Sequence, residues 1–66
     1  MQIVVNGDPL GVAEGETVAG LLGRLGLGAK WVLVERNGQP VNRADLDTTA
    51  IVEGDRLELV RAVAGG

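Results

Sequence analysis

Two Asn-Gly dipeptides, each at the end of a short apolar segment, most constrain the fold of this chain. Asn6-Gly7 closes the segment Met1–Asn6, which has β-branched residues on both faces of an alternating pattern, and Asn37-Gly38 follows Trp31–Arg36. Asn-Gly is the dipeptide best suited to the positive φ angles of a two-residue hairpin turn. The sequence therefore predicts two β-hairpins, each with its first strand directly before the dipeptide.

The returning strands of the two hairpins are less regular. In the first hairpin we expect Asp8-Pro9 to extend the turn and Leu10–Ala13 to form the returning strand. In the second hairpin the returning segment is Gln39–Val41. Because Pro40 has no backbone N–H to donate to a ladder, this segment is predicted to be an edge of the sheet.

Between the hairpins, apolar residues recur with helical spacing. They are Val18, Leu21, Leu22 and Leu25. Thr17 is the predicted N-cap, and Gly26 and Leu27 are placed to end the helix in a Schellman motif. Gly20 and Gly23 fall on the opposite, solvent-facing side, where each costs about 0.5–1 kcal/mol relative to Ala. So short a helix is unstable alone, so its apolar stripe is expected to pack on a sheet.

The rest of the chain contains one more long strand. Residues 42–50 are mostly polar and are predicted to form a loop with one helical turn, and Glu53–Asp55 is a further turn. Arg56–Val63 alternates as a strand, with Leu57 and Leu59 on one face. The element order indicates a small α+β domain with one helix against one sheet.

The side-chain chemistry of the chain argues against an enzyme. Its 66 residues include no Cys and no His and, by inspection, no Ser, so the usual bases, nucleophiles and thiolate metal ligands are missing. The remaining reactive groups are the threonines, the carboxylates and the chain ends. We expect a protein that catalyses nothing by itself and holds no metal and no bound cofactor.

The charge balance argues against nucleic-acid and membrane partners. Six basic residues face nine acidic ones, for a net charge of -3, and the basic residues form no stripe. Nucleic-acid binding requires such a stripe, and a membrane span requires about 20 apolar residues in a row. The first residues lack the features of a signal peptide. We therefore expect a cytoplasmic protein.

Three polar or aromatic features admit both a structural and a functional interpretation. The pairs Glu14/Glu16 and Glu53/Asp55 flank glycines in predicted turns, and with no third ligand evident we expect solvated turn charges. Trp31, the one tryptophan, is expected to lie in the core or to cover one end of the helix–sheet layer. Its alternative role is to anchor an interface.

The closing Gly65-Gly66 also has two interpretations. It is either a frayed, glycine-rich end or a segment that threads a narrow channel and presents its carboxylate to a partner's active site. Since the chain lacks the usual reactive side chains, the α-carboxylate of Gly66 is the obvious place for chemistry.

Several segments, taken in order along the chain, resemble one known family. They are Val5-Asn6-Gly7, Thr17-Val18 with Leu21-Leu22, Val34-Glu35-Arg36-Asn37-Gly38, Val41 with Arg43, Gly54-Asp55 with Leu57 and Leu59-Val60, and Ala62-Val63-Ala64-Gly65-Gly66. The family is that of the ubiquitin-like sulfur carriers of thiamine biosynthesis, the ThiS family. The resemblance covers nearly the whole chain.

The resemblance implies a fold. It is the ubiquitin-like β-grasp, a mixed sheet of four to five strands with the first and last strands parallel and central, and one main helix across it. It also implies a division of the chain into a domain over residues 1–63 and a flexible Ala-Gly-Gly tail over residues 64–66.

The resemblance implies a chemistry as well. A partner adenylating enzyme uses ATP to activate the carboxylate of Gly66, sulfur from a cysteine desulfurase or another donor gives the thiocarboxylate, and thiazole synthase takes that sulfur. Gly65 supplies clearance and flexibility. Carriers for molybdopterin or tRNA thiolation, and protein-tagging carriers, share the terminal chemistry and stay open, as does a protein-interaction module that carries no sulfur.

Because the tail must enter the partner, docking is expected on the last strand and its neighbours. The expected partner-binding residues are Arg56, Glu58, Arg61, Ala62, Val63 and Ala64.

Overall fold

The structure is a computed structural model that describes residues 1–61. The expected tail and the end of the last strand, Ala62 and Val63, lie outside the described residues. The strands are β1 Gln2–Val5, β2 Asp8–Gly11, β3 Val32–Arg36, β4 Gln39–Val41 and β5 Arg56–Arg61, and the helix α1 spans Val18–Arg24. Two 3₁₀ turns, Ala29–Trp31 and Arg43–Asp45, precede β3 and follow β4. In the described part of the chain, no helix is long and apolar enough to cross a membrane.

The five strands form one mixed sheet in the order β2-β1-β5-β3-β4. β5 lies at the centre, parallel to β1 and antiparallel to β3. The two hairpins, β1–β2 and β3–β4, therefore do not touch each other through strand pairing but are joined by the last strand. This arrangement, with α1 across one face, is the β-grasp fold, and the prediction of first and last strands parallel and central is confirmed.

Both Asn-Gly dipeptides form the predicted hairpin turns. The φ angles are 50° and 85° at Asn6 and Gly7, and 52° and 84° at Asn37 and Gly38. Two successive positive φ angles are typical of the type I′ turn, whose twist matches that of the flanking strands. Because each turn needs only two residues, the returning strand starts at once. The prediction that Asp8-Pro9 extends the turn was wrong, since both residues belong to β2.

The asparagines of the two turns also bind the central strand. The Asn6 amide accepts a hydrogen bond from the Leu59 N–H at 2.8 Å and donates one to the Leu59 carbonyl at 3.3 Å. The Asn37 side-chain oxygen accepts one from the Arg56 N–H at 2.9 Å. Each turn is thus attached to β5 by side-chain bonds that continue the backbone ladder.

The helix begins and ends as predicted. Thr17 Oγ1 accepts a hydrogen bond from the Gly20 N–H at 3.1 Å, which caps the first turn. At the other end, the Leu27 N–H donates to the Leu22 carbonyl at 2.8 Å, and Gly26 has a φ of 73°. This is the Schellman motif. Leu25 is the C-cap and is 40% exposed, so the buried stripe is shorter than the spacing predicted.

One core lies between α1 and the sheet. Its buried residues are Ile3, Val12, Val18, Leu21, Leu22, Val32, Val34, Leu46, Ile51 and Leu57. The connection between β4 and β5 supplies Leu46 and also serves the helix. The Ala19 N–H donates to the Leu46 carbonyl and the Val18 N–H to the Thr49 carbonyl, both at 3.0 Å. These bonds satisfy amide groups that the first turn of a helix leaves free.

The two helix glycines differ in what a methyl group would meet. A Cβ added at Gly23 has no neighbouring atom within 4 Å, whereas one at Gly20 lies 3.4 Å from Thr17 Oγ1 and 3.7 Å from Glu16 Cγ. Neither glycine has a positive φ angle. Gly23 therefore costs helix stability without any steric reason for its presence.

Gly23→Ala is expected to raise the free energy of unfolding by about 0.5–1 kcal/mol, because alanine lowers the backbone entropy of the unfolded chain and fits the open helix surface. Urea denaturation followed by circular dichroism measures the change. Gly26→Ala is the matched control and is expected to destabilise, since its φ of 73° strains an L residue. A Gly23→Ala variant no more stable than wild type would contradict the account of this position.

Candidate partner-binding face and the base of the tail

β5 leads the chain toward its last residues from the middle of the sheet. Arg61, its final residue, lies opposite Val32 of β3. Ala62, Val63, Ala64, Gly65 and Gly66 follow in sequence and lie outside the described residues. The position of the predicted reactive terminus is therefore known only through its base, the end of a strand with a neighbour on each side.

The sheet has a core face, covered by α1, and an open face. Successive side chains of a strand point to opposite faces. In β5, Leu57 is buried on the core face, while Arg56, Glu58 and Val60 are exposed on the open face. Arg61 falls on the same side as Leu57, though it is exposed. The structure thus brings Arg56 and Glu58 together and places Arg61 on the other side of the sheet.

An apolar row crosses the open face. Leu33 of β3 lies directly opposite Val60 of β5, and these side chains are 58% and 56% exposed. The sequence analysis did not identify this pair, because the continuous run Val32–Val34 carries no alternation to show which residue faces solvent. The burial of Val32 and Val34 places Leu33 on the open face.

An acidic row lies beside the apolar row. Glu35 of β3 is the direct partner of Glu58 in β5, and both are exposed. A shallow depression of about 470 Å³ adjoins this row. It is lined by Glu35, Asn37, Gly38, Arg56 and Glu58. Only Arg56 and Glu58 of this set were predicted to contact a partner.

Trp31 is neither in the core nor fully exposed. It lies in the 3₁₀ turn before β3 with 49% of its surface exposed, and the Lys30 ammonium is 5.5 Å from the centre of its ring. Arg43 donates a hydrogen bond to the Lys30 carbonyl at 3.0 Å and fixes this turn. Of the predicted roles, core residue is wrong, and partial cover of one end of the layer fits.

Asp55 is the one charged residue buried within residues 1–61, with 3% of its surface exposed. Its carboxylate accepts three hydrogen bonds, from Arg36 Nε at 2.9 Å, Asn37 Nδ2 at 3.0 Å and the Val52 N–H at 2.9 Å. The prediction of a solvated turn charge was wrong here. The sequence shows the turn but not the residues, distant along the chain, that fold around it.

The surroundings of Asp55 act on its pKa in opposite directions. Burial raises the pKa, while the Val52 N–H, the Asn37 amide, and the hydrogen bond and charge of Arg36 lower it. The net result is a pKa below the ordinary value of 3.8. Asp55 is therefore a carboxylate held charged in the folded protein, suited to structure rather than to proton transfer.

The other carboxylates of the predicted pairs also serve the fold or solvent. Glu53 Oε1 accepts a hydrogen bond from the Gln2 N–H at 3.0 Å, and Glu16 lies 3.7 Å from Arg24. Glu14 is exposed. Among residues 1–61, no group of three or more potential metal-ligating side chains comes together.

The sequence profile of the ThiS family matches residues 3–66. The chain belongs to the ThiS family. A crystal structure of the thiamine biosynthesis protein ThiS from Geobacter metallireducens is 38% identical, with each chain covered completely and a TM-score of 0.86. A solution structure of a thiamine biosynthesis protein from the same organism is 36% identical, with a TM-score of 0.78, and covers all of this chain and 88% of the other.

Two curated relatives are much longer than this ThiS-family chain. They are thiazole synthases from Paramagnetospirillum magneticum and Magnetococcus marinus, each 38% identical over all 66 residues. The chain spans only 20% of the length of either relative. Each of these thiazole synthases therefore contains a stretch similar to this chain within a polypeptide about five times as long.

Asp55→Asn is expected to lower the free energy of unfolding at neutral pH by about 1–3 kcal/mol, because it leaves Arg36 without its buried anion. The contribution of a carboxylate with a lowered pKa is complete above its unfolded pKa and is lost as pH falls through the folded pKa. Wild type should therefore lose stability below about pH 4, and the variant should lose less over that range. Urea titrations from pH 2 to pH 7 measure both effects.

Asp47→Asn, an exposed residue of the β4–β5 connection, is the control for the change of charge. If Asp55→Asn and Asp47→Asn gave the same stability at every pH, the buried carboxylate would have no special role.

Proposed function

We propose that this chain carries sulfur for thiamine biosynthesis as a thiocarboxylate on Gly66. The observation that carries the proposal is membership of the ThiS family over residues 3–66, a match that includes the closing Ala-Gly-Gly. The thiamine biosynthesis proteins with the same fold support it. In this role the chain is a protein substrate of other enzymes and catalyses nothing itself.

The chemistry requires activation of the terminus by a partner. A carboxylate is a poor electrophile until one oxygen becomes part of a good leaving group, so an adenylating enzyme uses ATP to form the acyl-adenylate of Gly66. A sulfur donor supplied by a cysteine desulfurase displaces AMP, and the thiocarboxylate results. The sequence contains no Cys, so the chain has no thiol of its own to capture the activated acyl group.

The fold suits a carrier of this kind. The tail follows β5, and β5 is paired on both sides, by β1 and by β3. A partner that grips the sheet therefore holds the base of the tail at a fixed place, while Gly65 and Gly66, without Cβ atoms, fit a narrow channel. Recognition belongs to the domain, and chemistry belongs to the last residue.

We further propose thiazole synthase as the enzyme that receives the sulfur. Two proteins named thiazole synthase contain a stretch 38% identical to this chain. Joining a carrier to its acceptor in one polypeptide raises their effective concentration, which is useful only if the two parts meet during the reaction. The same encounter between separate chains requires a docking surface on the carrier.

Incubation with ATP, the adenylating enzyme and a sulfur donor is expected to raise the intact mass of the chain by the difference between sulfur and oxygen. Addition of thiazole synthase and its other substrates should return the mass to its starting value and form the thiazole. Deletion of Gly66 is expected to abolish both steps, because the tail is then one residue short of the active sites. Mass spectrometry and thiazole detection are the measurements.

Gly23→Ala, a glycine substitution confined to the helix, is the control and should leave both steps intact. Sulfur gain by the chain lacking Gly66, at the wild-type rate, would overturn the carrier proposal. A thiocarboxylate that forms but gives no thiazole would overturn the thiazole assignment alone and favour one of the other sulfur-carrier pathways.

A further inference from the structure

The open face of the sheet combines two features that lower the stability of a solvated sheet. One is the apolar row, Leu33 with Val60, and the other is the acidic row, Glu35 with Glu58. Single exposed apolar residues are normal on protein surfaces. Here two of them are directly paired and more than half exposed, so they form one continuous patch.

The acidic row has like charges at directly opposite positions. Opposite charges at such positions stabilise a sheet, whereas like charges destabilise it. In the part of the chain that the structure describes, no basic side chain lies within ion-pair distance of Glu35 or Glu58. Arg56 faces the same depression but forms no ion pair with either. The repulsion between the two glutamates is therefore not relieved by the residues around them.

The two rows are neighbours with a fixed spacing. Leu33 and Glu35 are two residues apart on β3, as Val60 and Glu58 are on β5. Two residues along a strand span about 7 Å. An apolar side chain on the first row and a basic side chain on the second would cover both features at once, and the depression beside Glu58 leaves room for the basic group.

From this geometry we infer that the open face docks thiazole synthase, through an apolar side chain on Leu33 and Val60 and a lysine or arginine between Glu35 and Glu58. The inference rests on the proposed function, because an enzyme that receives sulfur from Gly66 must lie at the end of β5, where Val60 is the last open-face residue described. The presence of a similar stretch inside two thiazole synthases favours this occupant over the adenylating enzyme.

The docking face has a distinctive consequence, since the charges that bind the partner also repel each other in the free protein. Glu58→Gln is expected to raise the melting temperature of the isolated chain and, at the same time, to weaken binding to thiazole synthase. Glu14→Gln is the matched control. It makes the same change of charge at an exposed residue outside the sheet and should alter neither property.

Binding is measured by titration calorimetry with the chain that carries no sulfur, so that the result does not depend on loading. Glu58→Gln is expected to raise Kd about threefold and Glu58→Lys about tenfold or more, with a smaller dependence on salt than wild type. Leu33→Thr keeps a β-branched residue on the strand and should raise Kd without changing the salt dependence.

The possible outcomes separate the two proposals. If wild type gains sulfur and forms thiazole but Glu58→Lys and Leu33→Thr bind thiazole synthase as wild type does, the docking inference alone is overturned. If these variants lose affinity for the adenylating enzyme and not for thiazole synthase, the occupant is wrong. A lower melting temperature for Glu58→Gln would overturn the argument from repulsion. Tight binding without any sulfur gain would instead leave the docking face supported and overturn the carrier chemistry.

Discussion

The buried carboxylate of Asp55 is the interaction on which the rest of the structure depends. It accepts hydrogen bonds from the end of β3, from the turn that follows β3, and from the turn that precedes β5. One anion therefore fixes where the central strand starts relative to its neighbour. A charge in this position is favourable only because Arg36 and two neutral donors replace the water that burial removes.

The central strand inherits its position from that anion and transmits it to both hairpins. Asn37 holds β5 at Arg56 and Asn6 holds it at Leu59, so the side chains of the two turns act on the same strand from opposite sides. Once β5 is placed, its alternation decides what each face presents. Leu57 completes the core, and Glu58 and Val60 join the residues of β3 on the open face.

Features set by neighbours in the chain were predictable from the sequence, and features set by distant residues were not. The hairpin turns and the helix ends depend on a few adjacent residues, such as Asn37-Gly38 and Gly26, and the predictions there are confirmed. The burial of Asp55 depends on Arg36, 19 residues away, which no local pattern reveals. The pairing of Glu35 with Glu58 likewise requires the register between two strands. The predicted site residues Gly65 and Gly66 stay predictions.

The order of the strands has a consequence for how the domain is made. β5 is the last strand in the chain, yet it separates two hairpins that have no pairing with each other in the sheet. During synthesis both hairpins emerge first and must wait, without their common neighbour, until residues 56–61 leave the ribosome. The long-range contacts that close the sheet therefore form last. A prematurely ended chain has no central strand, so residues joined to the end of a complete β5 are displayed only by chains that are able to fold.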